Sequence, residues 1–180
     1  MKVTNIIPPT TSFLEVDLDP KIIDYLWDII EESRSTKIIH KKKLVGNISS
    51  SYLLKDKNNY FYKSVCQPLV QYFRQNNLGQ DPITHNAVLD LKTPLVLSSL
   101  WVNYQYKTEF NPYHDHSGVY SFAIWLKIPY SHKAQKDLAL FENIKDSDKK
   151  PGNFEFEYMD SLGNIRNFAY NLSKEYEGKM

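Results

Sequence analysis

Asn111-Pro112-Tyr113-His114-Asp115-His116-Ser117-Gly118 lies between two long runs of β-forming residues, and its reading decides what those runs build. Upstream, Val96-Leu97-Ser98-Ser99-Leu100-Trp101-Val102-Asn103-Tyr104-Gln105-Tyr106 is rich in β-branched and aromatic side chains. Downstream, Val119-Tyr120-Ser121-Phe122-Ala123-Ile124-Trp125-Leu126-Lys127-Ile128 is a second such run, ended by Pro129. In extended backbone, residues i and i+2 share a face. His114 and His116 therefore converge, while Asp115 points elsewhere unless the chain turns there. Imidazole nitrogens suit iron, zinc, copper and nickel. By itself, however, a His-x-His pair is more often two solvated loop histidines than a metal site.

Working outward, Ser12-Phe13-Leu14-Glu15-Val16-Asp17-Leu18 alternates apolar and polar residues like a half-buried strand. Asp19-Pro20 then reads as a helix start, with Asp19 as N-cap and Pro20 at the first helical position. Ile22, Ile23, Leu26, Ile29 and Ile30 follow at helical spacing and predict one buried stripe. A second helix is expected from about Tyr60 to Arg74, carried by Phe61, Val65, Leu69 and Phe73, with a kink or break at Pro68. A polar insertion fills 130–150. After it, Phe154-Glu155-Phe156-Glu157-Tyr158 and Ile165-Arg166-Asn167-Phe168-Ala169-Tyr170 read as a hairpin whose turn uses Gly163 for positive φ. Helices first and strands after predict an α+β domain, helix-rich over 1–82 and β-rich over 83–180, with an antiparallel barrel or sandwich.

At 180 residues the chain is long enough for one domain with a real core. A net charge of +1 gives no electrostatic footprint for nucleic acid, and Lys41-Lys42-Lys43 reads as solvated surface. Cys66 is the single cysteine, so no intrachain disulfide forms, as suits a reducing compartment. The first residues lack the apolar core of a signal peptide, and no apolar run is long enough to span a bilayer. A cytoplasmic protein, in host cytoplasm if viral, is expected.

The pattern Trp101-Val102-Asn103-Tyr104, then Phe110 through Phe122, then Leu126-Lys127-Ile128-Pro129 resembles the Fe(II)/2-oxoglutarate-dependent oxygenase superfamily, and within it a phage-associated branch. Gly46-Asn47-Ile48-Ser49 and Tyr176-Glu177-Gly178 fit the same branch more weakly. The resemblance implies a double-stranded β-helix (jelly roll) with the N-terminal helices packed on one sheet. It also implies an iron dioxygenase of the hydroxylase type, acting on a small molecule or peptide. Fe(II) would be held by His114 with His116 or Asp115. The co-substrate 2-oxoglutarate would be contacted by Asn103 or Tyr104.

His116 stands where the superfamily usually places a carboxylate. The distal His and the following Arg or Lys would be expected beyond Met180, so the resemblance implies a jelly roll incomplete at its C-terminus and an inactive chain. His40, His85 and His132 are minor alternatives for the third ligand. The competing reading is a non-catalytic, cupin-like or viral structural jelly roll. A zinc hydrolase ranks below both, since no Glu flanks the histidines on a helix.

Overall fold

The computed structural model describes residues 12–40, 44–76, 94–116, 118–145, 150, 152–160 and 162–180. Over these residues the chain divides into two compact units. Of the described residues, one unit comprises 12–18 and those from 122 to 180, the other 19–76 and those from 94 to 121.

In the second unit, helix α1 (Pro20–Thr36) starts as its sequence dictates. Asp19 accepts a hydrogen bond from the Lys21 N–H at 2.8 Å, and Pro20 occupies the first turn, where its missing N–H costs nothing. Ile22, Leu26, Ile29, Ile30 and Ser33 form the buried stripe. The helix closes on Lys37 in the left-handed region (φ 46°, ψ 39°), whose N–H caps the Ser33 carbonyl at 2.8 Å.

Strands β1 (Ser50–Leu53) and β2 (Trp101–Tyr104) pair antiparallel, with Ser50 opposite Tyr104 and Tyr52 opposite Val102. Residues 38–40 lie along the far edge of β1 through His40 N–H to Ser51 O and Leu53 N–H to Ile38 O. Helix α2 (Gln67–Gln75) follows a π-helical turn, Tyr62–Cys66. Pro68 has no N–H to continue an α-ladder, and the widened turn before it accommodates that loss, so the expected break occurs as a π-bulge. Phe61 and Val65 are buried and Leu69 and Phe73 half-buried, which is the predicted four-residue stripe.

In the first unit, helix α3 (His132–Lys136) lies in the polar insertion. Strands β3 (Asn153–Met159) and β4 (Ile165–Asn171) form the expected hairpin, with Phe156 opposite Phe168. One face carries Phe154, Phe156, Phe168 and Tyr170, and Phe13 stacks on Phe156 with ring centroids 4.3 Å apart. The turn has Gly163 at φ +81° and is closed by Asp160, which accepts from the N–H groups of Leu162 and Asn164 at 2.9 Å. Residues 12–18 alternate in exposure, but the expected strand is not formed: the segment holds only an isolated antiparallel bridge from Asp17 to Lys179, which also bridges Trp125.

The jelly roll is not formed. Among the described residues there are two separate two-stranded sheets, β1–β2 and β3–β4, and neither closes into a barrel. The physical reason lies in the two long runs. Of 96–106 only Trp101–Tyr104 is strand, and of 119–128 only Trp125 makes a bridge. Valine and aromatic side chains favour a pleated surface only where neighbouring strands supply partners, and propensity yields to that context. The expected α+β double-stranded β-helix with helices packed on one of its sheets is thereby corrected to a small α+β protein. The cupin-like or viral structural jelly roll falls with it.

Candidate functional site

The His-x-His segment was the expected metal centre. His114 and His116 do share a side of the backbone, with ring centroids 4.6 Å apart and planes inclined at 51°. Both are exposed, as is Asp115 between them. The His114 Nδ1–H donates to the Pro112 carbonyl at 2.7 Å, because a carbonyl can only accept, and this leaves Nε2 as the acceptor nitrogen of the neutral ring. Partial desolvation, followed by the neighbouring His114, holds the His116 pKa below its ordinary 6.5.

No third ligand joins them. Among the described residues no group of three His, Cys, Asp or Glu side chains is placed to hold a metal ion. His40 is buried and stacks on Trp101 at 5.1 Å, while His132 sits on α3 in the other unit. His85 lies outside the described residues. Glu109, the nearest glutamate in sequence, accepts from the Ser49 and Tyr106 N–H groups at 2.9 Å and so ties the two strands together.

A two-His-one-carboxylate ferrous centre does not fit these residues. Without it, 2-oxoglutarate has no metal to chelate. The expected Fe(II)/2-oxoglutarate dioxygenase, its cofactors and its membership of the phage-associated oxygenase branch are therefore withdrawn. The physical reason is that sequence adjacency supplied two imidazoles, while a third donor has to be carried in by a barrel that is not built.

The two residues expected to touch a co-substrate are separated by the pleat. Asn103 is opposite Ser51 and Tyr104 is opposite Ser50, so their side chains leave opposite faces of the same strand. They cannot serve one ligand together. Tyr104 instead lies on the face it shares with Ser50, Tyr52 and Val102, and its ring meets that of Tyr52 edge-on at 6.1 Å.

On that face Tyr104 meets the last turn of α1. The Arg34 Nε–H donates to the Tyr104 hydroxyl at 3.0 Å, and the guanidinium carbon lies 5.1 Å from the Tyr104 ring centroid. Arg34 Nη1 is paired with Glu31 one turn earlier at 3.1 Å. The guanidinium pKa is raised further above its usual value, first by the Tyr104 hydrogen bond and then by the charges of Tyr104 and Glu31. Arg34, Lys37, Ser50, Tyr52, Tyr104 and Tyr106 together line a cleft of about 220 Å³ open to solvent. Two cations, three phenols and one hydroxyl converge there, and among the described residues no carboxylate lines it, Glu31 meeting Arg34 from outside the lining.

Of these six residues, sequence reasoning singled out only Tyr104. The alternation Tyr104-Gln105-Tyr106 was a visible signal that both rings face one way. Arg34 is 70 residues from its partner, and nothing in its helical neighbourhood marks it.

No family model matches the chain, and neither the curated proteins nor the solved structures contain a match to it. No helix among the described residues is long and apolar enough to cross a membrane.

Proposed function

We propose that the protein is a binding module for a small anionic ligand, seated in the cleft between the end of α1 and the β1–β2 face. The observation that carries this reading is the convergence of Arg34 and Lys37 on Tyr52, Tyr104 and Tyr106, with no acidic side chain in the lining among the described residues. Arg34 has Nε taken by Tyr104 and Nη1 by Glu31, which fixes the guanidinium plane and leaves its Nη2 donors for an incoming oxyanion. Lys37 is held at a fixed backbone geometry by the helix C-cap. Holding both cations beforehand lowers the ordering cost of binding. A cytoplasmic setting suits this role, supported by a lone thiol, Cys66, that burial pushes up to about 11 and so keeps protonated.

The test is an amide NMR titration with orthophosphate at low ionic strength. Shifts are expected at Lys37, Ser50 and Tyr104, with weakening as salt rises. Charge-assisted hydrogen bonds are worth about 1.5–3 kcal/mol each, so Arg34→Ala is expected to weaken binding about tenfold or more. Arg34→Lys is expected to restore only part, because an ammonium lacks the fork. No shifts in the cleft, or equal binding by the Arg34→Ala/Lys37→Ala double variant, would overturn the reading.

A further inference from the structure

We infer that the ligand of this cleft is a phosphorylated planar-ring compound of nucleoside monophosphate type, with its phosphate on Arg34 and Lys37 and its ring against the exposed Tyr106. The inference rests on the anion-binding reading above and goes further by naming the ligand's two parts.

The first part follows from charge. With Arg34 Nε on Tyr104 and Nη1 on Glu31, its Nη2 donors and the Lys37 ammonium are left to share one ligand group, and a phosphate offers several oxygens for such separated donors. The second part follows from the rings. Tyr52 and Tyr104 are engaged with each other at 6.1 Å, and Tyr104 also carries Arg34. Tyr106, two residues further on, is 59% exposed while still lining the cleft. An exposed phenol beside a cation pair is the arrangement on which a base stacks while its phosphate is held. Size points the same way. The cleft, at about 220 Å³, is smaller than the roughly 300–1,000 Å³ typical of pockets that engulf drug-sized ligands. It suits one phosphate and one ring, with the connecting sugar left at the mouth.

The experiment compares AMP, ribose 5-phosphate and adenosine by calorimetry and NMR on the full chain, with Arg34→Ala and Tyr106→Leu variants. AMP is expected to bind about tenfold tighter than ribose 5-phosphate, and adenosine least well. Tyr106→Leu is expected to weaken AMP about tenfold more than it weakens ribose 5-phosphate, which removes the difference between them. Arg34→Ala weakens both phosphates alike. Tyr106 is 59% exposed, and folding of its variant is checked separately by retention of the amide dispersion of Ile29 and Phe61. Equal binding of AMP and ribose 5-phosphate would overturn this inference while leaving the anion reading in place. Binding of adenosine with neither phosphate preferred would overturn both.

Discussion

Gly46 shows how one missing methyl group sets a loop. A Cβ placed there would lie 1.8 Å from Asn111 Oδ1 and 2.9 Å from its Cγ, so the Asn111 side chain occupies the space a larger residue would need. Asn111 is exposed and can swing aside, so Gly46→Ala is expected to cost no more than about 0.5 kcal/mol in urea unfolding. Combining it with Asn111→Gly is expected to recover most of that loss, since the clash is with the side chain. His116 allows a second test at this scale. Its folded pKa is lowered, so above 6.5 both folded and unfolded states hold it neutral and it contributes nothing to pH dependence. As pH falls below 6.5 the unfolded chain takes up the proton first, and stability declines. An imidazole NMR titration should place its midpoint below 6.5. His114→Ala should move that midpoint upward but leave it below 6.5, because desolvation is the larger cause.

Among the elements, the two long helices and the hairpin owe their boundaries to short-range chemistry that can be checked residue by residue. Asp56 accepts from the Phe61 and Tyr62 N–H groups at 2.9 Å and from the Tyr25 hydroxyl at 2.7 Å, which anchors the start of the 60–75 helical segment to α1. Burial and then this hydrogen bond push the Tyr25 phenol up to about 12. Asp56→Ala is expected to cost about 1–3 kcal/mol in chemical denaturation, since it leaves several donors without an acceptor. At the hairpin, the Asn164 N–H, followed by Arg166, holds Asp160 down to about 2. A lowered carboxylate pKa stabilises above the unfolded value of 3.8 and loses that contribution as pH falls from about 4 through about 2. Amide exchange in β4 should accelerate over that window, and Asp160→Asn should flatten the response. These elements were legible because caps, periodicity and turn residues act within a few positions. The Asp19-Pro20 start, the stripe from Phe61 to Phe73 and the Gly163 turn are all local. The barrel was misread because Val96–Tyr106 and 119–128 state a preference for extension and say nothing of which strands lie beside them. Of the cleft only Tyr104 was legible, for the same reason. Tyr104 announces itself on a strand, while Arg34 reaches it only through the packing of α1 against β1.

For the whole molecule, the division into two units predicts separable behaviour. Gly178–Met180 supply the Gly178 N–H to Trp125 O bond, the Trp125 N–H to Lys179 O bond, the Leu18 N–H to Gly178 O bond and a reciprocal pair between Val16 and Met180. Deleting these three residues is expected to collapse the NMR dispersion of Phe156 and Tyr170 while that of Ile29 and Phe61 persists. Loss of both sets together would show that the units stand or fall as one. The pairing of Val16 with Met180 also has a temporal meaning. Lys179 and its partner Glu15 are 164 positions apart, and the residues of the other unit all lie between them. During translation the inner unit leaves the ribosome with every one of its own partners already made. Residues 16–18 stay without their backbone partners until Gly178–Met180 have been made, a delay of several seconds at roughly 5–20 residues per second.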